Sequence, residues 1–254
     1  MTLLQNHRVD ASVPALRLHE VRKDFGDRQA LRGLSIALRP GEVYALLGPN
    51  GAGKTTTLNL ILGFLSPDAG HVEVAGLRVD RDPLAARARI AYLPETVMLH
   101  PRLSAIENLS YFALLGGRRL DPAQARALLA DAGLQSEAHE RPAAGFSKGM
   151  RQKVGLAIAL AKNAQLLLLD EPTSGLDASA ANDLSLGVRA AVRRGLAVLM
   201  ATHDLYRVKD VADRLGILRG GRLLTERATA ELSPAQIEAL YLHALASAEP
   251  EFGA

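Results

Sequence analysis

Hydrophobic positions along the chain follow two alternating rhythms. Short, nearly unbroken apolar runs at Val43–Leu47, 166–169 and 196–201 have the length and continuity of strands buried on both faces. Each is followed by a stretch with helical spacing of apolar residues, at 56–65, 178–194 and 205–212. Such strand-then-helix alternation predicts a parallel sheet covered by helices. Upstream, 16–21 and 34–38 alternate apolar with polar residues, with Gly26 and Gly33 between them, and predict antiparallel strands at one edge. Pro67-Asp68-Ala69-Gly70 reads as a turn into a short strand over 71–74.

The middle of the chain behaves differently. From Pro101 to about Lys162 the signals are helical: Ser104 and Glu107 have capping-box spacing, ahead of an apolar face through Leu109, Phe112 and Leu115. A second helix starts at Asp121-Pro122 and stops at Gly133. The expected fold is α/β, a mainly parallel sheet with an antiparallel β edge subdomain and an inserted helical subdomain over about 96–163. Residues 1–14 are expected to be a disordered lead, 15–225 the main domain and 226–254 a helical tail. That tail would form a surface helix from Pro234 and fray at Ala248-Glu249-Pro250-Glu251.

Composition narrows the classes. A chain of 254 residues, 48% hydrophobic, supplies a core large enough to fold alone. The net charge of +3 is a small excess of Lys and Arg rather than a dense basic patch, so no direct nucleic-acid binding is expected. With no cysteine, disulfides, thiolate chemistry and cysteine-bound zinc are excluded, which is compatible with a reducing cytosol. No apolar run approaches the ~18 residues of a membrane span, and the first residues carry no apolar signal-peptide centre.

The chemistry begins directly after Val43–Leu47. Gly48-Pro49-Asn50-Gly51-Ala52-Gly53-Lys54-Thr55 matches G-x-x-x-x-G-K-[ST] and opens a helix-forming run that includes Thr56. Glycines let backbone N–H groups wrap phosphates, and the helix N-terminus adds its positive end. Lys54 is placed to neutralise the β- and γ-phosphates of ATP, and the Thr55 hydroxyl to hold Mg²⁺. A second half of the site comes after the apolar run 166–169, which delivers Asp170 and Glu171 at its carboxyl end. Asp170 suits an acidic Mg²⁺ ligand, and Glu171 a base acting on water beside the γ-phosphate.

Many phosphate-loop proteins share these two motifs, and the segments around them decide the class. Phe146-Ser147-Lys148-Gly149-Met150-Arg151-Gln152, ahead of the strand that delivers Asp170 and Glu171, resembles the signature motif of ABC-type ATPases; Ser147 and Gly149 match it, and Lys148 and Met150 depart from its commonest spelling. Ser174-Gly175-Leu176-Asp177 resembles the family's D-loop, His203 its switch histidine, and Phe25 the aromatic residue that stacks on adenine. After the strand Ile90–Leu93 the family commonly carries Gln, whereas this chain has Pro94-Glu95. Glu95 can accept hydrogen bonds from water or bind the metal, which places it among the candidate catalytic and metal-binding residues while adding a third acid to the site. Tyr92-Leu93-Pro94-Glu95 together with the 146–152 segment resembles the ATP-binding subunits of ABC-2 type exporters, including those of copper-enzyme maturation.

The resemblance implies an ATPase whose copies pair head to tail, Ser147, Gly149 and Asp177 of one completing the ATP site of the other. It also implies separate integral membrane subunits, and so a place on the cytoplasmic face of the cell membrane. Val97, Met98 and Leu99 are candidate docking contacts, or simply core. A soluble ABC ATPase acting on nucleic acid or ribosomes is the alternative.

Overall fold

A computed structural model describes residues 13–247 of the chain. Most of the expected lead and the expected fraying after Ser247 lie outside those residues. The first sheet contains β1 (Leu16–Phe25), β2 (Arg28–Leu38), β4 (Ala69–Val74) and β5 (Leu77–Arg78), antiparallel in the order β2-β1-β4-β5. The second contains β3 (Val43–Leu47), β6 (Ile90–Leu93), β7 (Leu166–Asp170), β8 (Ala197–Thr202), β9 (Arg214–Arg219) and β10 (Arg222–Ala228). Its order is β10-β9-β3-β8-β7-β6, parallel throughout except for β10 on the edge.

The central strands β3 and β8 are buried at every position, which is why their sequences read as unbroken apolar runs. Successive residues of β3 point to opposite sides, as the pleat requires. Val43, Ala45 and Leu47 enter a core shared with the helices, while Tyr44 and Leu46 enter another, packed against Leu16, Leu18 and Leu34 of the antiparallel sheet.

Helix α1 (Lys54–Ile61) follows β3, and α2 (Pro83–Ala88) precedes β6. The insert holds α3 (Ala105–Leu115), α4 (Pro122–Asp131) and α5 (Lys148–Ala161). The expected capping box is present on α3: Glu107 N donates to Ser104 Oγ at 3.2 Å and Ser104 N donates to Glu107 Oε2 at 2.8 Å. Asp121 and Gln124 repeat the arrangement on α4. Helices α6 (Ala178–Val192) and α7 (Leu205–Val211) complete the crossovers, and α8 (Pro234–Ser247) closes the described chain where a tail helix is expected. None of these helices is long and apolar enough to cross a membrane, among the described residues.

Two boundaries differ from the expected ones. The first helix ends at Ile61 rather than 65, because Gly63 turns the chain at φ 67°. The expected tail boundary at 226 falls inside β10, which forms a hairpin with β9 across Gly220 and Gly221, both at positive φ.

Candidate functional site

Parallel pairing sets the site before any side chain is considered. β8 lies between β3 and β7, with Leu47 opposite Thr202 and Asp170 opposite Ala201. The 48–55 loop, the Asp170-Glu171 pair and His203 therefore leave the sheet at one edge, beyond the carboxyl ends of its strands.

The loop is shaped by its glycines. Gly53 sits at φ 112°, and a Cβ there would fall 2.8 Å from the Ala30 carbonyl oxygen, so no other residue fits. Gly48 packs on Leu218 and Ala52 is buried; neither lines the cleft. Gly221 N donates to the Ala52 carbonyl at 3.0 Å, so the β9–β10 hairpin buttresses the loop from behind. Lys54 is buried, its Nζ donating to the carbonyls of Gly48 and Pro49.

A cleft of about 370 Å³ opens over the loop. Asn50, Gly51, Gly53, Lys54, Thr55 and Thr56 form its loop side, and Glu95, Asp170 and Glu171 its acidic side. Phe25, at the end of β1, stands at its margin 47% exposed, with the Lys23 ammonium 5.6 Å from its ring centre. Arg28 also lines the cleft and donates to the Gly51 carbonyl at 3.3 Å; no motif in the sequence marks it.

Glu171 joins the two sides. Its Oε1 lies 3.5 Å from Lys54 Nζ, and its Oε2 lies 2.9 Å from His203 Nδ1 and accepts from His203 N at 3.2 Å. The residue is held at φ 44°, a left-handed conformation that a non-glycine residue adopts only under constraint from its surroundings. Glu171 also borders a neighbouring groove of about 420 Å³ that His203 lines.

Asp170 accepts a hydrogen bond from the Tyr92 hydroxyl at 3.2 Å. Burial pushes the Asp170 carboxyl above its ordinary range, the Tyr92 bond pulls it down, and the charges of Glu171 and Glu95 push it up again. Tyr92 is pushed up to about 12, by burial first and by the Asp170 charge second. Glu95 Oε1 accepts from Ser174 Oγ at 3.0 Å and lies 3.9 Å from Lys148 Nζ. Among the described residues no group of three or more His, Asp or Glu side chains could hold a metal unaided. Thr55 and Asp170 offer oxygen donors on one cleft, a set suited to a hard divalent ion whose other ligands come from phosphate and water.

Ser147, Gly149 and Asp177 do not line this cleft. Ser147 Oγ caps α5, accepting from Met150 N at 3.2 Å, and Asp177 caps α6, accepting from Ala180 N at 2.8 Å. A Cβ on Gly149 would fall 2.7 Å from that of Ala180, so the glycine also serves the α5–α6 contact. Of the three candidate docking residues, Val97 is buried, Leu99 half-buried and Met98 77% exposed, so only Met98 is available on the surface.

Comparison with known proteins agrees with this geometry. Residues 31–174 match the ABC transporter family. The chain is 37% identical over 227 residues to the Nod factor export ATP-binding protein I of Paraburkholderia xenovorans, covering 88% of this chain and 74% of that protein. It is 32% identical over 211 residues to the linearmycin resistance ATP-binding protein LnrL of Bacillus subtilis, covering 82% and 68%. A solved ATP-binding subunit of an ABC transporter superposes with a TM-score of 0.78 at 30% identity, covering 91% of this chain and 99% of that one. A dimeric ATP-binding cassette bound to ADP and Pi superposes with a TM-score of 0.73 at 26% identity, covering 84% and 98%. Cassettes of this fold thus bind nucleotide, form dimers and serve as transporter subunits. With its phosphate loop, paired acids and histidine gathered at one sheet edge, this chain belongs to the ABC transporter ATP-binding family and is an ATPase of that family.

Proposed function

We propose that the cleft binds ATP with Mg²⁺, that two copies share two such sites, and that their cycle drives an ABC-2 type exporter. The observation that carries this reading is the Glu171 carboxylate, held between Lys54 at 3.5 Å and His203 at 2.9 Å. Backbone N–H groups of the loop and the start of α1 receive the phosphates, Asn50 and Thr56 line their path, and Phe25 offers a face to adenine. Thr55 and Asp170 would hold Mg²⁺, which would supply positive charge against the phosphates.

A phosphate is a stronger partner for Lys54 than the carboxylate it now faces. Arrival of the γ-phosphate therefore frees Glu171 to take a proton from the attacking water, while His203 fixes its orientation. Ser147 and Gly149, at the start of α5, and Asp177, at the start of α6, act on the nucleotide of the partner copy, consistent with their position away from their own cleft. ATP then holds two copies together until hydrolysis releases them.

Relatives named for Nod factor export and linearmycin resistance favour export over a soluble role on nucleic acid or ribosomes. The chain then sits on the inner face of the cell membrane, held by integral membrane subunits that select the cargo, with Met98 among its contacts. Glu171→Gln is expected to lower ATP hydrolysis by about 10²-fold or more and to trap an ATP-dependent dimer in gel filtration. Lys54→Ala is expected to abolish nucleotide binding. Undiminished hydrolysis by the Glu171→Gln protein would overturn the assignment.

A further inference from the structure

Three segments far apart in sequence converge on one carboxylate oxygen. Glu95 Oε1, on the loop after β6, accepts from Ser174 Oγ at 3.0 Å and lies 3.9 Å from the Nζ of Lys148, the first residue of α5. The backbone is tied separately, the Glu95 carbonyl accepting from Gln152 Nε2 at 2.7 Å one turn further along the same helix. Glu95 also lines the cleft that Thr55 and Asp170 share. A carboxylate on the same cleft as a divalent ion would be drawn toward it unless other donors held it. Here a hydroxyl and an ammonium hold it, both from elements other than its own. Two of the residues at which the sequence departs from the family spelling, Glu95 and Lys148, are thus paired with each other.

Resting on the ATP and Mg²⁺ reading above, we propose that Lys148 and Ser174 are positioning residues that hold the Glu95 carboxylate off the metal. Glu95 is then a ligand in waiting, released when the start of α5 shifts. Since that same start serves the partner's nucleotide, engagement of one site is felt by the metal in the other.

The test titrates Mn²⁺, followed by electron paramagnetic resonance, into the full chain with a non-hydrolysable ATP analogue. Lys148→Met removes the ammonium and keeps the stem; Mn²⁺ affinity is expected to rise about threefold. In a Glu95→Gln background the same change is expected to leave affinity where it was, because no carboxylate remains to be released. Ser174→Ala is expected to act in the same direction as Lys148→Met, and Lys148→Arg to keep the native value. Equal shifts in both backgrounds would mean that the ammonium acts through space and not through Glu95, and the proposal would fall. It would fall equally if Lys148→Met shifted nothing in the native background. A native chain that binds no Mn²⁺ with the analogue would overturn the metal reading itself.

Discussion

Asp170 is poised between opposing influences, and Tyr92 is the one most easily removed. Tyr92→Phe deletes the hydroxyl that donates at 3.2 Å and leaves the ring in place. Without that bond, burial and the neighbouring acids act unopposed by Tyr92 and the Asp170 carboxyl titrates at higher pH. The proposed Mg²⁺ site needs the ionised form, so the acid limb of the hydrolysis profile is expected to move to higher pH, with the plateau less affected. Rate measurements across the acid range check this, and an unmoved limb would show that Tyr92 does not tune the acid. Asp170, Glu171 and His203 are legible in the sequence because they stand at or just past the carboxyl ends of buried apolar strands, and Lys54 because it belongs to the G-x-x-x-x-G-K-[ST] spelling that follows another. Tyr92 and Arg28 are not. Tyr92 meets its partner 78 positions away through the β6–β7 register, and Arg28 reaches Gly51 only because the β1–β2 hairpin folds over the loop.

Among elements, those with a complete local code are the ones that sequence reveals. The capping box on α3 is such a code, and Ser104→Ala removes one half of it; unfolding by urea is expected to show a loss of about 1 kcal/mol. Nucleotide affinity should be unchanged, since Ser104 lies in the insert away from the cleft. A loss well below this would mean that the insert tolerates an uncapped helix. The buried strands β3, β7 and β8 are legible from continuity alone. The β9–β10 hairpin is harder to see although Gly220-Gly221 signals a two-residue turn, because its alternation is broken by a register shift between Leu223 and Thr225. The hairpin matters for the site, as it supplies the Gly221 amide that fixes Ala52.

At the scale of the molecule, the proposed pairing makes each copy the owner of two half-sites: a cleft with its own acids, and helix starts at Ser147 and Asp177 that lie outside it. Two-fold pairing then predicts complementation. A Lys54→Ala copy lacks a working cleft but keeps its helix starts, and a Ser147→Arg copy has the reverse defect. Neither alone is expected to hydrolyse ATP, while an equal mixture is expected to recover about a quarter of the native rate, since half of the pairs contain one intact site of two. A mixture as silent as its components would show that each copy works alone. Assembly of this kind is legible only through the resemblance, because no local pattern in one chain reports a surface completed by another. The bond from Gln152 to the Glu95 carbonyl adds a last consequence. That handle grips the main chain and is blind to the side chain it carries, so a movement of α5 drags the loop along whichever residue stands at 95. The mechanical linkage and the chemistry at its end are separable parts, and position 95 can be rewritten to retune the cleft without disconnecting the lever.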